Sequence, residues 1–396
     1  MDNDPTIDPS CLRDIIVLLS PFASQPSQSI AHSIDWRQAY KFCDFHGVRP
    51  RLARVLEEQG EAYRCPAWLT DKLADFSKRH AFSVLAKTAD IVSIAEALES
   101  ASITGIFFKG AVLGEQVYGG SNVREFNDID LLVSAGERER TADIFSSLGY
   151  HPIIADYDIR HTFFDYMGQH MFRHVETGSV VDLHWNFVGS NPFPIDGRGA
   201  LRNRVTLELG GAAIPAPCIE DLCLILAGHG HKEGWASFTW ALDFAMFAAK
   251  FPDFDWANAA ARSEAKRSMR PLLSAMLLVD RLFDHAIDHK LLTIARGKSE
   301  IVDDVERVVA RYHAFTRRTL ADDLMGSFRL CETAPQRAVV WLRLFTTRTI
   351  GDYEAAPLPP RWWWAYRFTR PLRLVWHRIR GGTPAPSAFW DAQRDN

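Results

Sequence analysis

The segment Asn127-Asp128-Ile129-Asp130-Leu131-Leu132-Val133 carries the residues best suited to chemistry. Alternate residues of a strand project to one side, so Asp128 and Asp130 are predicted to stand together at the end of an otherwise apolar strand. Two carboxylates that close repel each other unless a cation lies between them. A divalent ion answers that repulsion, and Mg²⁺ (or Mn²⁺) prefers oxygen ligands and shares its shell with substrate phosphates. A two-metal clamp on a transferring phosphoryl group requires a third carboxylate. Val180-Val181-Asp182-Leu183-His184-Trp185 offers it. Asp182 is a single acid in an apolar strand, where an unpaired charge is costly to bury. Alone, the Asp-x-Asp would be consistent with a polar strand edge. With Asp182, the three acids point to metal-assisted phosphoryl transfer.

Phosphate needs positive partners, and the sequence supplies candidates. Phe107-Phe108-Lys109-Gly110-Ala111-Val112-Leu113 reads as a strand, a glycine turn and a helix start. Backbone N–H groups at a helix N-terminus favour an anion, and Gly110 lets the backbone approach closely. Lys109 is either a point charge on a triphosphate or a solvated strand end. Arg124 meets phosphate or forms an ion pair with one of the nearby aspartates. Further on, His229 and Lys232 are spaced to share a helix face. They contact phosphate and acceptor, or else His229 packs in the core while Lys232 caps a helix end. Asp243 is placed to fix either of them. Trp235 and Trp240 stack on a base or pack in the core, and His184 shares the face of Asp182 as a supporting group or a plain edge histidine.

The elements that must position these residues fall into regions. Residues 1–100 read as helical, with apolar residues of Trp68–Val84 recurring at three- and four-residue spacing. Residues 101–216 read as a mixed α/β unit. Its strand candidates are Gly105–Phe108, Ile129–Val133, Tyr150–Ile154, Thr162–Met167, Met171–Val175 and Ser179–Trp185, with a hairpin turned at Thr177-Gly178 and a helix over Glu137–Leu148. Residues 217–350 read as helical again. Residues 351–396 comprise a Pro-rich linker at Asp352–Pro360, a basic aromatic segment, and a frayed end from Gly381.

The order FKG, a helix with Leu113 and Tyr118, Arg124, NDIDLLV and VVDLHW resembles the nucleotidyltransferase superfamily with the polymerase-beta-like fold. It is similar, more narrowly, to an uncharacterised bacterial nucleotidyltransferase family. The likeness continues through Glu220-Asp221-Leu222, His229-Gly230-His231-Lys232, Trp235, Trp240 and Asp243, and covers roughly residues 103–250. It implies an α+β fold in which a polymerase-beta-like core with a mixed sheet is flanked by N- and C-terminal helical regions. It implies that Asp128 and Asp130 are the paired metal carboxylates, Asp182 the third, and Gly110 the glycine under the triphosphate. Ala111 departs from the wider superfamily, which has a serine after that glycine and so a hydroxyl near phosphate. The implied reaction moves a nucleoside monophosphate from a nucleoside triphosphate to an acceptor hydroxyl or phosphate on a small molecule, peptide or protein, and releases pyrophosphate. A non-catalytic nucleotide-binding or toxin–antitoxin-type module on the same fold is the competing class, and γ-phosphoryl transfer is a third.

Composition sets bounds on partners. With 45 Lys+Arg against 49 Asp+Glu, the net charge of −4 argues against a general polyanion binder, and no DNA partner is expected. Six scattered cysteines without a CxxC pair suit reduced thiols rather than a zinc site. The acidic, polar first ten residues lack the basic and apolar regions of a signal peptide, and no run of 18 apolar residues occurs. A cytoplasmic protein is expected. The local exception is residues 357–382, where six arginines interleave with Trp362, Trp363, Trp364, Tyr366, Phe368 and Trp376. Three readings remain open for it: peripheral contact with an anionic membrane face, a single-strand nucleic-acid surface, or an amphipathic helix packed on the N-terminal helices. Pro371 is expected to interrupt that helix.

Overall fold

Two apolar patterns of different period build the molecule, helices above and below a small sheet. The computed structural model describes residues 7–22, 34–63, 65–187, 192–316 and 328–379. At the N-terminal side are α1 (Pro9–Leu19), α2 (Trp36–His46), α3 (Arg49–Tyr63) and α4 (Ala67–Ser100). Asp8 and Asp35 cap the first two by accepting from backbone N–H groups of the first turn. The 34-residue α4 is about 50 Å long at 1.5 Å per residue. Its Leu69 and Leu73 belong to one apolar core and its Ile91, Ile94 and Leu98 to another.

The sheet follows as β1 (Gly105–Phe107), β2 (Asp128–Val133), β3 (Tyr150–Pro152), β4 (Gln169–His174) and β5 (Val180–His184). The short α5 (Gly110–Leu113) lies between β1 and β2, α6 (Arg138–Ser147) precedes β3, and α7 (Tyr157–Phe163) precedes β4. The strand order is β1-β2-β5-β4-β3. Only β2 and β5 are parallel; the other pairs are antiparallel. One face presents Ile129, Leu131, Phe172, Val181 and Leu183, which share a core with Ile91, Ile94 and Leu98 of α4 and Phe145 of α6. The other face carries Asp128, Asp130, Asp182 and His184, because those residues are out of phase with the apolar set.

Beyond the sheet come α8 (Gly197–Arg202), the ribbon β6 (Val205–Leu209) and β7 (Ala212–Ala216), and then α9 (Ile219–Lys232), α10 (Phe238–Lys250), α11 (Trp256–Ala265), α12 (Arg270–Phe283), α13 (His289–Arg296) and α14 (Ser299–Ala314). Leu222, Leu242, Leu278 and Tyr312 from these helices share a single core with Leu12, Ile15, Phe42 and Leu52 from the N-terminal ones. Trp235 is 2% exposed in it, so of its two expected roles the structure selects packing. The Tyr312 hydroxyl donates to the Trp235 carbonyl at 2.7 Å. All six cysteines are free thiols.

Four elements differ from the sequence expectation. Thr162–Met167 is the end of α7 and a 3₁₀ turn rather than a strand. Asp156 caps α7 from Ile159 N–H, and Phe163 and Phe164 are buried under the C-terminal segment. The β6–β7 ribbon was not anticipated, although its Gly210-Gly211 turn, with φ of +62° and +79°, is the glycine pair that a two-residue hairpin favours. The proposed linker contains a helix at Ile350–Ala355. Pro371 sits inside the helix Tyr366–Ile379 and does not end it.

That last helix is anchored by buried groups. Arg370 and Arg373 both pair with Asp352, each at 2.8 Å. Trp363 packs its ring on Phe163 with centroids 5.1 Å apart and donates from Nε1 to the Leu358 carbonyl. The segment therefore packs on α7, on Ile350–Ala355 and on the helix Ala334–Thr346, and not on the N-terminal helices among the described residues. Trp362, Trp364, Phe368, Leu372 and Trp376 remain exposed. Residues from Gly381, expected to fray, lie outside the described residues. Among the described residues no helix is long and apolar enough to cross a membrane.

Candidate active site

The parallel register of β2 and β5 sets Asp130 directly beside Asp182 and Leu132 beside His184. Asp128 lies one strand repeat from Asp130 on the same face. The three acids border one cavity of about 430 Å³, within the range of small-molecule sites. Its other walls come from the end of β1 (Phe108, Lys109), the approach to β2 (Arg124 to Asn127), and the helices α9 and α10 (Ile225, His229, Lys232, Trp240). The sheet thus supplies the negative floor and α9 brings His229 and Lys232 over it.

Electrostatics within the floor are lopsided. Asp130 Oδ1 receives Lys109 Nζ at 3.0 Å and lies 3.1 Å from His184 Nε2. Burial works to raise the Asp130 pKa, but Lys109 and His184 outweigh it and hold the group ionised, well below the usual carboxylate range. Asp182 has weaker compensation. Its Oδ2 accepts from Gln169 Nε2 at 2.6 Å, while its Oδ1 is buried with no hydrogen-bond partner among the described residues. Burial and the neighbouring Asp130 and Asp128 push its pKa well up. Asp128 is raised too, by burial and by Asp130. Burial, then Lys109 and Lys232, drives His229 well below the ordinary histidine value, so its ring is neutral. His184 is also lowered by burial, against the pull of Asp130.

The residues on this floor fit a metal cation. The ligand atoms of Asp130, Asp182 and His184 lie within 4.8 Å of one another, all buried. A buried carboxylate oxygen without a partner, beside a second carboxylate, is destabilising unless positive charge joins it. The oxygen-rich donor set fits a hard divalent ion such as Mg²⁺ or Mn²⁺. Asp130 and Asp182 are in place to hold it. Asp128 borders the same cavity but lies outside the tight cluster, and His184 stands within it.

The expected phosphate contacts are distributed unevenly. Lys109, His229 and Lys232 border the cavity. His229 makes an edge contact with Trp240 at 5.3 Å between centroids, and Lys232 lies 3.2 Å from Glu233. Gly110 does not border the cavity. It adopts φ +52°, and a Cβ there would stand 2.9 Å from the Phe126 ring. It therefore makes the turn that delivers Lys109 to Asp130. Arg124 borders the cavity, but its fork is committed to a different acid from those expected. Nε and Nη2 donate to both oxygens of Asp243 at 2.9–3.1 Å, and the Tyr118 hydroxyl donates to Asp243 Oδ1 at 2.7 Å. Asp243 is consequently the partner of Arg124 and Tyr118, not the group that fixes His229 or Lys232.

Gln169 escaped the sequence reading. It bears no local mark of function, and only the antiparallel register of β4 on β5, which sets it opposite His184, brings it to Asp182. A comparison with curated proteins finds no match. Among solved structures, the solution structure of antibiotic-resistance factor ANT(2'')-Ia is similar over 48% of this chain and 95% of that one, at 13% identity and a TM-score of 0.33. A crystal structure of an antigenic nucleotidyltransferase-like protein from Paracoccidioides brasiliensis is similar over 50% and 97%, at 19% identity and a TM-score of 0.28. The family model described as uncharacterised nucleotidyltransferase matches residues 32–284, from just before α2 through α12, with every wall of the acidic cavity inside it. The chain belongs to that nucleotidyltransferase family.

Proposed function

We propose that this chain is a Mg²⁺- or Mn²⁺-dependent nucleotidyltransferase. It moves a nucleoside monophosphate from a nucleoside triphosphate to a hydroxyl or phosphate of a small-molecule, peptide or protein acceptor. The observation that carries the reading is the side-by-side pair Asp130 and Asp182, one oxygen of which is buried without a partner, facing a basic wall across one cavity. Asp128, Asp130 and Asp182 hold the metal, with His184 orienting Asp130. An ion held there would offset phosphate charge and make the acceptor oxygen a better nucleophile. Lys109, Lys232 and the neutral His229 bind the triphosphate side, Arg124 bounds that wall, and Gly110 sets the turn beneath it. The acceptor oxygen bonds to the α-phosphorus, the bond to the β-phosphate oxygen breaks, and pyrophosphate leaves. Positioning and charge compensation supply the rate.

A panel of labelled nucleoside triphosphates, incubated with Mg²⁺ and cell-extract fractions as acceptor source, tests this. Pyrophosphate release with a labelled product is expected, and chelation is expected to stop it. Nucleotide binding without turnover across all four bases and all fractions would favour the non-catalytic module instead.

The exposed aromatics of residues 360–376, set among arginines, support a second element of the proposal, peripheral contact with an anionic membrane through 357–382. Basic and tryptophan side chains favour that interfacial layer. Co-sedimentation with vesicles containing anionic lipid is expected for the full chain and not for a chain ending at Pro357. Equal sedimentation of both would remove the tail from the account.

A further inference from the structure

A second group of metal-ligating side chains lies on the other face of the sheet. Gln169 and His170 are consecutive on β4, so their side chains leave opposite faces. Gln169 reaches the catalytic cavity. His170, in register with Leu183, points instead toward α6 and the end of α7. There His170 Nε2 is 3.0 Å from Asp165 Oδ1, and His161 Nδ1 is 3.3 Å from the same oxygen. One ligand atom from each of the three residues lies within 4.8 Å of the others. We propose that His161, Asp165 and His170 form a second metal site, selective for a zinc-class ion and independent of the catalytic one.

The geometry favours shared ligation over a hydrogen-bonded cluster. His170 Nε2 and Asp165 Oδ1 are close, yet both are buried without a well-directed hydrogen bond. Ligands about 2.0–2.2 Å from a tetrahedral ion lie roughly 3.3–3.6 Å apart, a spacing that the 3.3 Å pair meets and the 3.0 Å pair approaches from below. Two imidazoles and one carboxylate suit Zn²⁺ better than Mg²⁺, which separates this site chemically from the oxygen-rich one.

The surroundings supply the outer contacts that such a site uses. Arg138 Nη1 donates to Asp165 Oδ2 at 2.9 Å, leaving Oδ1 for the ion. His161 Nε2 lies 3.6 Å from Glu139 Oε1, too far for a hydrogen bond but close enough to add negative charge beside the ion. Arg138 Nη2 lies 3.5 Å from His161 Nδ1, a marginal contact that the ion would replace. The ligands come from α7, the 3₁₀ turn after it and β4. A bound ion would therefore tie that turn to the strand residue next to Gln169.

Metal analysis of the full chain tests the site. Protein stripped by chelator is reloaded with Zn²⁺, desalted and assayed for metal, with Co²⁺ as a spectroscopic substitute. One retained zinc is expected in the wild type and equally in D130N/D182N. H161Q and D165N, which alter partly exposed ligands, are expected to weaken retention by more than about tenfold and to lose the tetrahedral cobalt absorption. Circular dichroism checks that both variants fold. No retained zinc in the wild type would overturn the proposal. So would zinc that D130N/D182N releases, or zinc that H161Q and D165N leave unchanged.

Discussion

Asp130→Asn is expected to reduce nucleotidyl transfer by on the order of 10³-fold or more, because in the proposed mechanism the several kcal/mol of charge stabilisation that a bound metal would provide depends on that carboxylate. Asp130 is the hub of the floor: Lys109 and His184 both converge on its Oδ1. Asparagine keeps the shape and one acceptor oxygen, so far-ultraviolet circular dichroism should not change. Asp182→Asn makes a sharper test. It should lose activity to a similar degree, yet its stability in chelator should rise. The reason is that Asp182 is a buried carboxylate whose charged form the fold disfavours, and the unpartnered oxygen adds to that penalty. A catalytic residue that costs stability is a common exchange. Turnover retained in either variant would remove the carboxylate pair from the mechanism. A loss of stability in Asp182→Asn would mark the residue as structural.

Arg124→Met is expected to cost about 3–5 kcal/mol of folding stability, the range for stripping one partner from a buried ion pair. Arg124 and Asp243 are 8% and 2% exposed, and Tyr118 also bonds to Asp243. Without the guanidinium, Asp243 remains as an uncompensated buried charge. The double variant R124M/D243N should recover much of the loss, since asparagine is neutral and still accepts from the Tyr118 hydroxyl. Urea unfolding of the four proteins in a double-mutant cycle gives the coupling. The pair clamps α10 to the segment that enters β2 just before Asp128. Activity of Arg124→Met should therefore fall chiefly with the folded fraction. Unchanged stability with a large rise in nucleotide KM would instead return Arg124 to the phosphate contact that its sequence position suggested.

The two results separate what was local from what was not. Asp128 and Asp130 were placed on one face by strand period alone, and Asp182 by being the single acid in an apolar strand. The β2–β5 register then set Asp130 beside Asp182. The α+β class and the strands carrying the acids were legible because period-2 and period-3.6 patterns are written in consecutive residues. Thr162–Met167 misled because its bulky apolar residues fit a strand by type, while the Asp156 cap and burial beneath Trp363 and Tyr366 made it helix and turn.

Sequence by itself determined which residues share a strand face, which glycine breaks a strand, and which residue types could hold phosphate and metal. Those follow from covalent geometry over a few residues. Tertiary structure alone decided partners. Arg124 chose Asp243, 119 positions away, over aspartates four and six positions away. Gln169 reached Asp182 through strand pairing, and His161, Asp165 and His170 met only where α7 folds back on β4. The physical reason is that a charged group inside a protein pairs with whatever opposite charge packing buries beside it. That choice is made by the fold's long-range contacts, which spacing along the chain does not encode.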